Sequence, residues 1–510
     1  MEESRWVLPI RRAACLALLT LVAMVWFAGL VTAAPPLKAA TAAPAAAPAP
    51  PPSSLQKSLA PLADRYAADA KAVVGLHVIR LSDGAVLCDV RGDQPLIPAS
   101  NQKIVSSAVA LKRLGRDFEF KTNLYLVGKD VLVVGDLDPT LGDERLAKAA
   151  NESIYAVLDG WASALKQAGV KEIQELVLEH GIFRDAYAHP DWPADQLNRW
   201  YGAGLAGLNF NDNCMDVSFV VSGAAVSAVL SPQTRFLEVQ NQVRVGKQDA
   251  WSLRFNANGT KATLAGTVVR GSGEPQSIAV PEPPVLLGMT LAERLTAAGL
   301  EIKAGINITG AGWPALPKDA RLIATASTPL GNALFRANKF SLNMMAEAMF
   351  LRSSVELNTP ATWERAAAVA RKTLIADYGL DGAQFSIADG SGLGRGNRIS
   401  PANLTRLLRA LVNEPRFTSA LPVAGVDGSL QKRSQSWACK GRVIAKTGYI
   451  SNVSALSGYV LDGDGRPVLA FSTLVNGPTW GQKQSARGLH EDICETLTSY
   501  VDQTAATSGR

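Results

Sequence analysis

The chain has 510 residues and a formal net charge of +6 at pH 7. So mild a charge, spread over this length, argues neither for nor against nucleic-acid binding. No patch rich in Lys and Arg with interleaved aromatic residues occurs in the sequence, so no nucleic-acid partner is predicted. Residues 1–34 hold three Arg and two Glu, a net +1, so the remainder carries +5 and is long enough for two or three hydrophobic cores.

The N-terminal region predicts export. Residues 13–31 form an uncharged, mostly apolar run after Arg11 and Arg12, and small residues follow it as a cleavage site, so 1–34 is predicted to be a signal peptide. The run could also just span a bilayer, which leaves an N-terminal anchor and loose membrane association as the alternative. Residues 35–55 are a linker rich in Ala and Pro. We therefore expect the protein in the periplasm or at the outer face of the cytoplasmic membrane.

The first motif with chemical content is Ser100-Asn-Gln-Lys103. Two β-rich runs at 74–81 and 85–90 precede it, and apolar residues follow it at helical spacing. Ser100 is therefore predicted to open a helix, with Lys103 one turn further on the same side. The lysine amine can take the serine proton if its surroundings lower its pKa. Ser54-Leu-Gln-Lys57 has the same pattern but is predicted to lie in the proline-rich linker, so we favour the later pair.

A long segment separates this motif from the next. The numbering difference between Ser100 and Ser341 is 241, against 105 between Ser341 and Lys446, which predicts a domain-sized insertion. Residues 143–170 have helical periodicity. Residues 218–280 alternate apolar and polar residues between turn signals, which predicts a small antiparallel β unit.

Ser341-Leu-Asn343 is the second motif, at the start of another predicted element. The Ser341 hydroxyl can relay a proton to a leaving amine, and the Asn343 amide can hold the acyl-side backbone of a substrate.

The third motif, Lys446-Thr447-Gly448, ends a predicted strand along which an extended substrate could lie. Lys446 supplies a cation that would lower the pKa of a nearby lysine and attract a carboxylate. Gly448 would keep the strand edge open. The amides of Tyr449 and Ser100 are candidate oxyanion donors.

In this order the three motifs resemble those of the class C low-molecular-weight penicillin-binding proteins. The similarity covers nearly the whole chain after the linker and includes DGSGLGRGN (389–397) and LPVAGVDGSLQKR (421–433). It implies a penicillin-sensitive serine-type D-Ala-D-Ala carboxypeptidase and DD-endopeptidase without metal or organic cofactor. Its partners would be peptidoglycan stem peptides and cross-links, and β-lactam inhibitors. By resemblance Ser100 is the acylated nucleophile, Lys103 is its base, and the other two motifs complete the site.

The resemblance also implies the fold class. We expect a mixed α/β (α+β) transpeptidase domain, an antiparallel sheet flanked by helices, that carries a large inserted region. The catalytic unit would be split into residues 56–122 and 285–505, and residues 123–284 would form the inserted region, divided into two subdomains.

Trp192-Pro-Ala-Asp195 is a candidate substrate contact within the insertion. It resembles a segment that, in relatives acting on diaminopimelate-type stems, places a tryptophan and an aspartate around the free amine of the stem. Asp195 would pair with that ammonium group. The alternative is a loop with a packed Trp192 and a solvated Asp195.

Two other functions compete with the peptidase. A class A β-lactamase uses a glutamate three residues before a Leu-Asn pair to hydrolyse the acyl-enzyme, but Leu197-Asn198 is preceded by Ala194 at that spacing. A non-catalytic wall-binding protein on the same fold would have no physical reason to keep all the polar residues of the three motifs.

The cysteines and histidines do not indicate another chemistry. Of the five cysteines, Cys15 lies in the export segment, and the other four allow three disulfide pairings: Cys88, Cys214, Cys439 and Cys494. We favour a Cys439–Cys494 pair, and four reduced, buried thiols are the alternative. Their spacings do not match a zinc site, and nothing in the context of the four scattered histidines suggests a Ser-His-Asp triad.

Overall fold

The structure is a computed structural model that describes residues 10–12, 53–271, 274–310, 316–433, 438–477 and 483–508. The predicted signal peptide, apart from residues 10–12, and nearly all of the predicted linker lie outside these ranges. Within them, no helix combines the length and the hydropathy that a membrane crossing needs.

The α-helices of the described residues are α1 (Ser54–Ala70), α2 (Gln102–Arg113), α3 (Glu144–Ala150), α4 (Ala156–Gln167), α5 (Pro283–Ala297), α6 (Leu330–Lys339), α7 (Asn343–Arg352), α8 (Trp363–Tyr378), α9 (Pro401–Leu411), α10 (Pro415–Thr418) and α11 (Lys483–Ser508).

The strands are β1 (Ile10–Arg12), β2 (Val73–Arg80), β3 (Val86–Val90), β4 (Glu119–Val127), β5 (Asp130–Val134), β6 (Glu172–Ile173), β7 (Leu176–Glu179), β8 (Cys214–Ser222), β9 (Ala225–Ser231), β10 (Glu238–Val245), β11 (Ala250–Phe255), β12 (Lys261–Val268), β13 (Gln276–Ala279), β14 (Glu301–Ile302), β15 (Ile306–Thr309), β16 (Arg321–Pro329), β17 (Phe385–Ser386), β18 (Arg398–Ile399), β19 (Val443–Ile450), β20 (Val453–Leu461) and β21 (Pro467–Asn476).

Sheet I joins the two ends of the described chain. Its strands run in the order β19-β20-β21-β2-β3, and every neighbouring pair is antiparallel. β20 is buried along its whole length because helices cover both faces of the sheet. On one face α1 and α11 form a core with the sheet, and on the other face α2, α7 and α9 belong to a second core. The predicted antiparallel sheet flanked by helices is confirmed.

Sheet II is mixed, with the order β1-β15-β7-β5-β4-β16. β15 is parallel to β7, and β16 is antiparallel to β4, so the chain returns to this sheet after α5. The sequence assigns residues 119–122 and 285–329 to the catalytic unit, because hydrophobic patterning identifies an element but not its partner. We therefore propose that the inserted region extends from Glu119 to Pro329 and that the second catalytic segment begins with α6.

The β-rich part of the insertion differs from the prediction in one pair of strands. β8 is antiparallel to β9 and to β13, as expected, and β11 is antiparallel to β12. β10 pairs with the edge of β12 opposite β11 and is parallel to β12, because β10 and β12 both run in the direction opposite to β11. Alternation in a sequence predicts which side chains share a face, not the direction of the neighbouring strand.

The helical stretch predicted at 143–170 is present as α3 and α4. The two helices are separated because Asn151 ends α3 in the left-handed conformation, with φ of 56°. Asparagine tolerates that conformation better than most residues.

Candidate active site

Ser100, the predicted nucleophile, lies in a tight turn rather than in the first turn of an α-helix. Ser100 is half-buried in a 3₁₀ turn over Ala99–Asn101, and α2 begins at Gln102. The Asn101 side chain donates to Ser457 Oγ at 2.8 Å and so attaches the turn to β20. Ala99 has φ of +46°, a left-handed conformation that is costly for a residue with a side chain. The packing around the turn must therefore hold it in place.

Lys103 is fully buried, and its amine contacts three oxygen atoms. Nζ lies 3.0 Å from Ser100 Oγ, 2.6 Å from Asn343 Oδ1 and 2.9 Å from the Ser391 carbonyl. Carbonyl oxygens only accept, so a neutral amine donates its two N–H groups to Asn343 and Ser391. Its lone pair then faces Ser100, whose hydroxyl can donate to it. This arrangement suits a general base.

Burial lowers the pKa of Lys103 to about 7, and the carboxylates of Glu347 and Asp389 oppose that effect. The sequence had suggested a second cation as the cause. Desolvation is the larger cause because the amine has no contact with solvent.

The second motif connects α6 to α7. Ser341 has φ of +63°, so the chain turns sharply there, and Asn343 is the first residue of α7. Asn343 uses both ends of its amide: Oδ1 accepts from Lys103, and Nδ2 donates to the Tyr201 carbonyl at 2.7 Å. The insertion thereby contacts the catalytic cleft through Tyr201.

Lys446 lies on β19 and reaches the second motif. Its Nζ donates to Ser341 Oγ at 2.9 Å and to the Thr447 carbonyl at 2.8 Å. Burial and the charge of Lys103 both lower the pKa of Lys446 well below its usual range. Burial therefore opposes the positive charge that the sequence assigns to Lys446.

β19 is the terminal strand of sheet I, beside the nucleophile turn. A Cβ atom at Gly448 would lie 2.8 Å from the Pro98 carbonyl and 3.2 Å from the Ser100 amide nitrogen, so a side chain there would collide with the turn. Thr447 Oγ1 lies 2.7 Å from Ser429 Oγ, and Tyr449 is exposed. The three motifs thus meet at one cleft, as their order predicted.

Trp192 and Asp195 occupy different environments. Trp192 is 5% exposed, and its indole N–H donates to Asp389 Oδ2 at 2.8 Å, so it supports the 389–397 loop. Asp195 is exposed and lines a cavity of about 1120 Å³ between the 180–204 segment and the strands β11 and β13. Contact of either residue with a substrate stays a prediction.

The sequence analysis did not single out the buried carboxylates behind Lys103. Glu347 lies one turn after Asn343 on α7, and Asp389 begins the glycine-rich box. One signal could have identified Glu347. It is an acidic residue among apolar residues of α7, four positions after the Asn of the second motif, and a buried acidic residue commonly has a specific partner.

The four cysteines within the described ranges, Cys88, Cys214, Cys439 and Cys494, are buried thiols. Burial raises the pKa of Cys494 well above its usual range, and the charge of neighbouring Cys439 adds to the effect. The two predicted disulfide partners are therefore neighbours, and the thiol form is the one the structure holds.

Comparison with known proteins agrees with this geometry. Residues 55–497 match the model of the D-Ala-D-Ala carboxypeptidase 3 (S13) family. A D-alanyl-D-alanine carboxypeptidase from Actinomadura sp. (strain R39) is 30% identical over 436 residues, which cover 80% of this chain and 78% of that protein.

Solved structures show the same fold. The crystal structure of penicillin binding protein 4 from Haemophilus influenzae superposes with a TM-score of 0.69 at 23% identity and covers 84% of this chain and 96% of that one. The structure of the same protein complexed with a β-lactam gives a TM-score of 0.65 at 22% identity, with the same coverage.

Proposed function

Because the chain belongs to the D-Ala-D-Ala carboxypeptidase 3 (S13) family, we propose that it removes the terminal D-Ala of peptidoglycan stem peptides through an acyl-enzyme on Ser100. The observation that supports this assignment best is the contact of the buried Lys103 amine with Ser100 Oγ, at 3.0 Å. The two carbonyl acceptors on the same amine leave its lone pair for the serine proton.

In the proposed reaction, Lys103 takes the proton as Ser100 Oγ attacks the carbonyl carbon between the two D-Ala residues. The amides of Ser100 and Tyr449 would hold the oxyanion, and Gly448 leaves room for the turn to approach β19. The C–N bond then breaks, and the leaving amine receives a proton through the Ser341 hydroxyl, which Lys446 contacts. Water attacks the ester and releases the shortened stem.

The terminal carboxylate of the substrate would bind beside the third motif. The hydroxyls of Thr447 and Ser429 lie together at the cleft, and the Lys446 amine adjoins them through the Thr447 carbonyl. An arriving carboxylate would favour the protonated form of Lys446, against the burial that lowers its pKa.

The same site supports narrower proposals about substrates, inhibitors and location. We propose that the enzyme also cuts DD cross-links, since both reactions use one acyl-enzyme, and that β-lactams acylate Ser100, as a β-lactam binds the Haemophilus influenzae relative. We further propose an exported protein that acts on the cell wall, with Asp195 as a contact for the stem amine. A β-lactamase is not favoured, because Ala194 stands where the deacylating glutamate would be needed.

The test is the intact mass of residues 54–510 after exposure to benzylpenicillin, with Ser100→Ala alongside. We expect a lasting adduct of one drug molecule in the unaltered protein and none in the variant. No adduct with the drug intact would contradict a working site, and no adduct with the drug destroyed would indicate a β-lactamase. Digestion of pentapeptide muropeptides would then show release of D-Ala.

A further inference from the structure

Glu347 is a buried carboxylate that the proposed reaction does not use. Its side chain is fully buried on α7, where it accepts from two consecutive backbone amides: that of Gly390 at 2.7 Å and that of Ser391 at 2.8 Å. Such a bidentate contact fixes the position of the peptide unit between the two residues.

The backbone that Glu347 holds is next to an acceptor of the Lys103 amine, the proposed base. The carbonyl of Ser391 accepts from Lys103 Nζ at 2.9 Å, so the peptide that Glu347 holds is followed by one of the two acceptors of the amine. The loop also lies very close to α7, since a Cβ atom at Gly390 would be 2.5 Å from Phe350 Cβ and 2.8 Å from the Ala346 carbonyl. A second contact, from Ser106 Oγ to the Gly390 carbonyl, holds the same peptide from α2.

We propose that Glu347 is a positioning residue for the reaction: its carboxylate holds the Gly390–Ser391 backbone so that the Ser391 carbonyl directs the Lys103 lone pair at Ser100. The inference rests on the proposed role of Ser100 and Lys103. Glutamine cannot replace the clamp, because its amide offers one acceptor and one donor to two backbone donors. Aspartate keeps the charge but is one methylene too short to reach both amides.

Glu347 titrates in the same pH range as Lys103. The titratable groups around Lys103 are Glu347 on α7, Asp389 on the loop and Lys446 on β19. Burial and the charge of Asp389 raise the pKa of Glu347 to about 8, whereas the two amide contacts and the charge of Lys103 oppose that effect. The carboxylate clamp is therefore complete at alkaline pH, where the Lys103 amine is also neutral, and the acylation rate at alkaline pH measures the clamp.

The experiment is the pH dependence of benzylpenicillin acylation for the unaltered protein, Glu347→Gln and Glu347→Asp. A base misplaced by about 1 Å can cost about 100-fold, so we expect a loss of that order in the alkaline acylation rate of Glu347→Gln. Glu347→Asp should also lose rate at alkaline pH. Asp138→Asn is the matched control, since Asp138 is a buried carboxylate that accepts from the Thr140 amide within the insertion. It should keep the alkaline rate of the unaltered protein.

Each result decides between explanations. A Glu347→Gln variant with the alkaline rate of the unaltered protein would overturn the inference, while failure of the unaltered protein to acylate would overturn the proposed function instead. If Glu347→Gln does not give a cooperative thermal transition, Glu347→Asp decides, and an undiminished rate in that variant would overturn the clamp.

Discussion

The proposed role of Lys103 as the base sets the pH range in which we expect Ser100 to be acylated. Because burial lowers its pKa to about 7, the amine is neutral above that pH and protonated below it. The protonated amine has no lone pair, so the rate constant of acylation by benzylpenicillin should fall about tenfold for each pH unit below about 7. Adduct formation followed by mass at a series of pH values measures this limb. A rate constant that stays flat between about pH 5 and about pH 8 would contradict the assignment of Lys103 as the base.

Ser429 offers a second test at the scale of single atoms. Its hydroxyl and that of Thr447 are hydrogen-bonded at the cleft, so Ser429→Ala leaves Thr447 without that partner. One neutral hydrogen bond is worth about 1 kcal/mol, which predicts a fall of about fivefold in kcat/KM for a D-Ala-D-Ala peptide. Ser429→Thr keeps the hydroxyl and is the matched control, with an expected kcat/KM close to that of the unaltered enzyme. Equal loss in both variants would mean that packing, not the hydroxyl, matters at this position.

At the scale of elements, the glycine-rich loop of residues 389–397 supports the turn Ala99–Asn101, which carries Ser100. Gly392 has φ of +84°, and a Cβ atom there would lie 1.9 Å from the Ala99 carbonyl, inside the turn that carries Ser100. Gly392→Ala should therefore displace the turn and reduce acylation by benzylpenicillin about 100-fold. Adduct formation and thermal unfolding are measured together.

Gly379 provides the control for that variant. It caps α8 with φ of +63°, but a Cβ atom there would have no neighbour within 4 Å. Gly379→Ala should cost about 1 kcal/mol of stability from backbone strain and leave acylation unchanged. If both alanine variants lose acylation equally, backbone strain rather than the collision with Ala99 is responsible.

The elements of the site could be predicted from the sequence more completely than their surroundings. Ser100 and Lys103 are three residues apart, and local geometry alone places such residues together. The contacts of Ser391 with Lys103 and with Glu347 join residues that are far apart in the sequence, so only the fold reveals them. The same is true of the burial that lowers the pKa of Lys103 and of the pairing of β16 with sheet II. Periodicity reports which face of an element is apolar, and it carries no information on which distant element covers that face.

At the scale of the whole molecule, a buried ion pair joins the insertion to the catalytic unit. Arg336 on α6 donates through Nε to Asp143 at 2.6 Å and through Nη2 to Asp212 at 3.1 Å. The side chains of Arg336 and Asp143 are 4% and 0% exposed. α6 leads directly into Ser341, so the bridge connects the position of the insertion to the second motif.

Arg336→Met should therefore destabilise the protein and disturb the cleft. Removing Arg336 leaves the Asp143 side chain, which is 0% exposed, without its cation, and such a loss commonly costs about 3–5 kcal/mol. Asp212 contributes less, because its side chain is 28% exposed and because burial and the charge of Asp143 raise its pKa to about 8. Arg336→Lys keeps a charge but not the planar fork that reaches both aspartates, so an intermediate loss is expected. Arg294→Met is the control. Arg294 donates through two nitrogens to a single aspartate, Asp159, and this pair is partly exposed. The expected cost of removing such an exposed pair is about 1 kcal/mol or less. Denaturant unfolding with acylation measured on the folded fraction separates the two effects. If Arg336→Met is no less stable than Arg294→Met, the bridge does not hold the insertion against the catalytic unit. If it is unstable but acylates normally when folded, the position of Ser341 does not depend on the bridge.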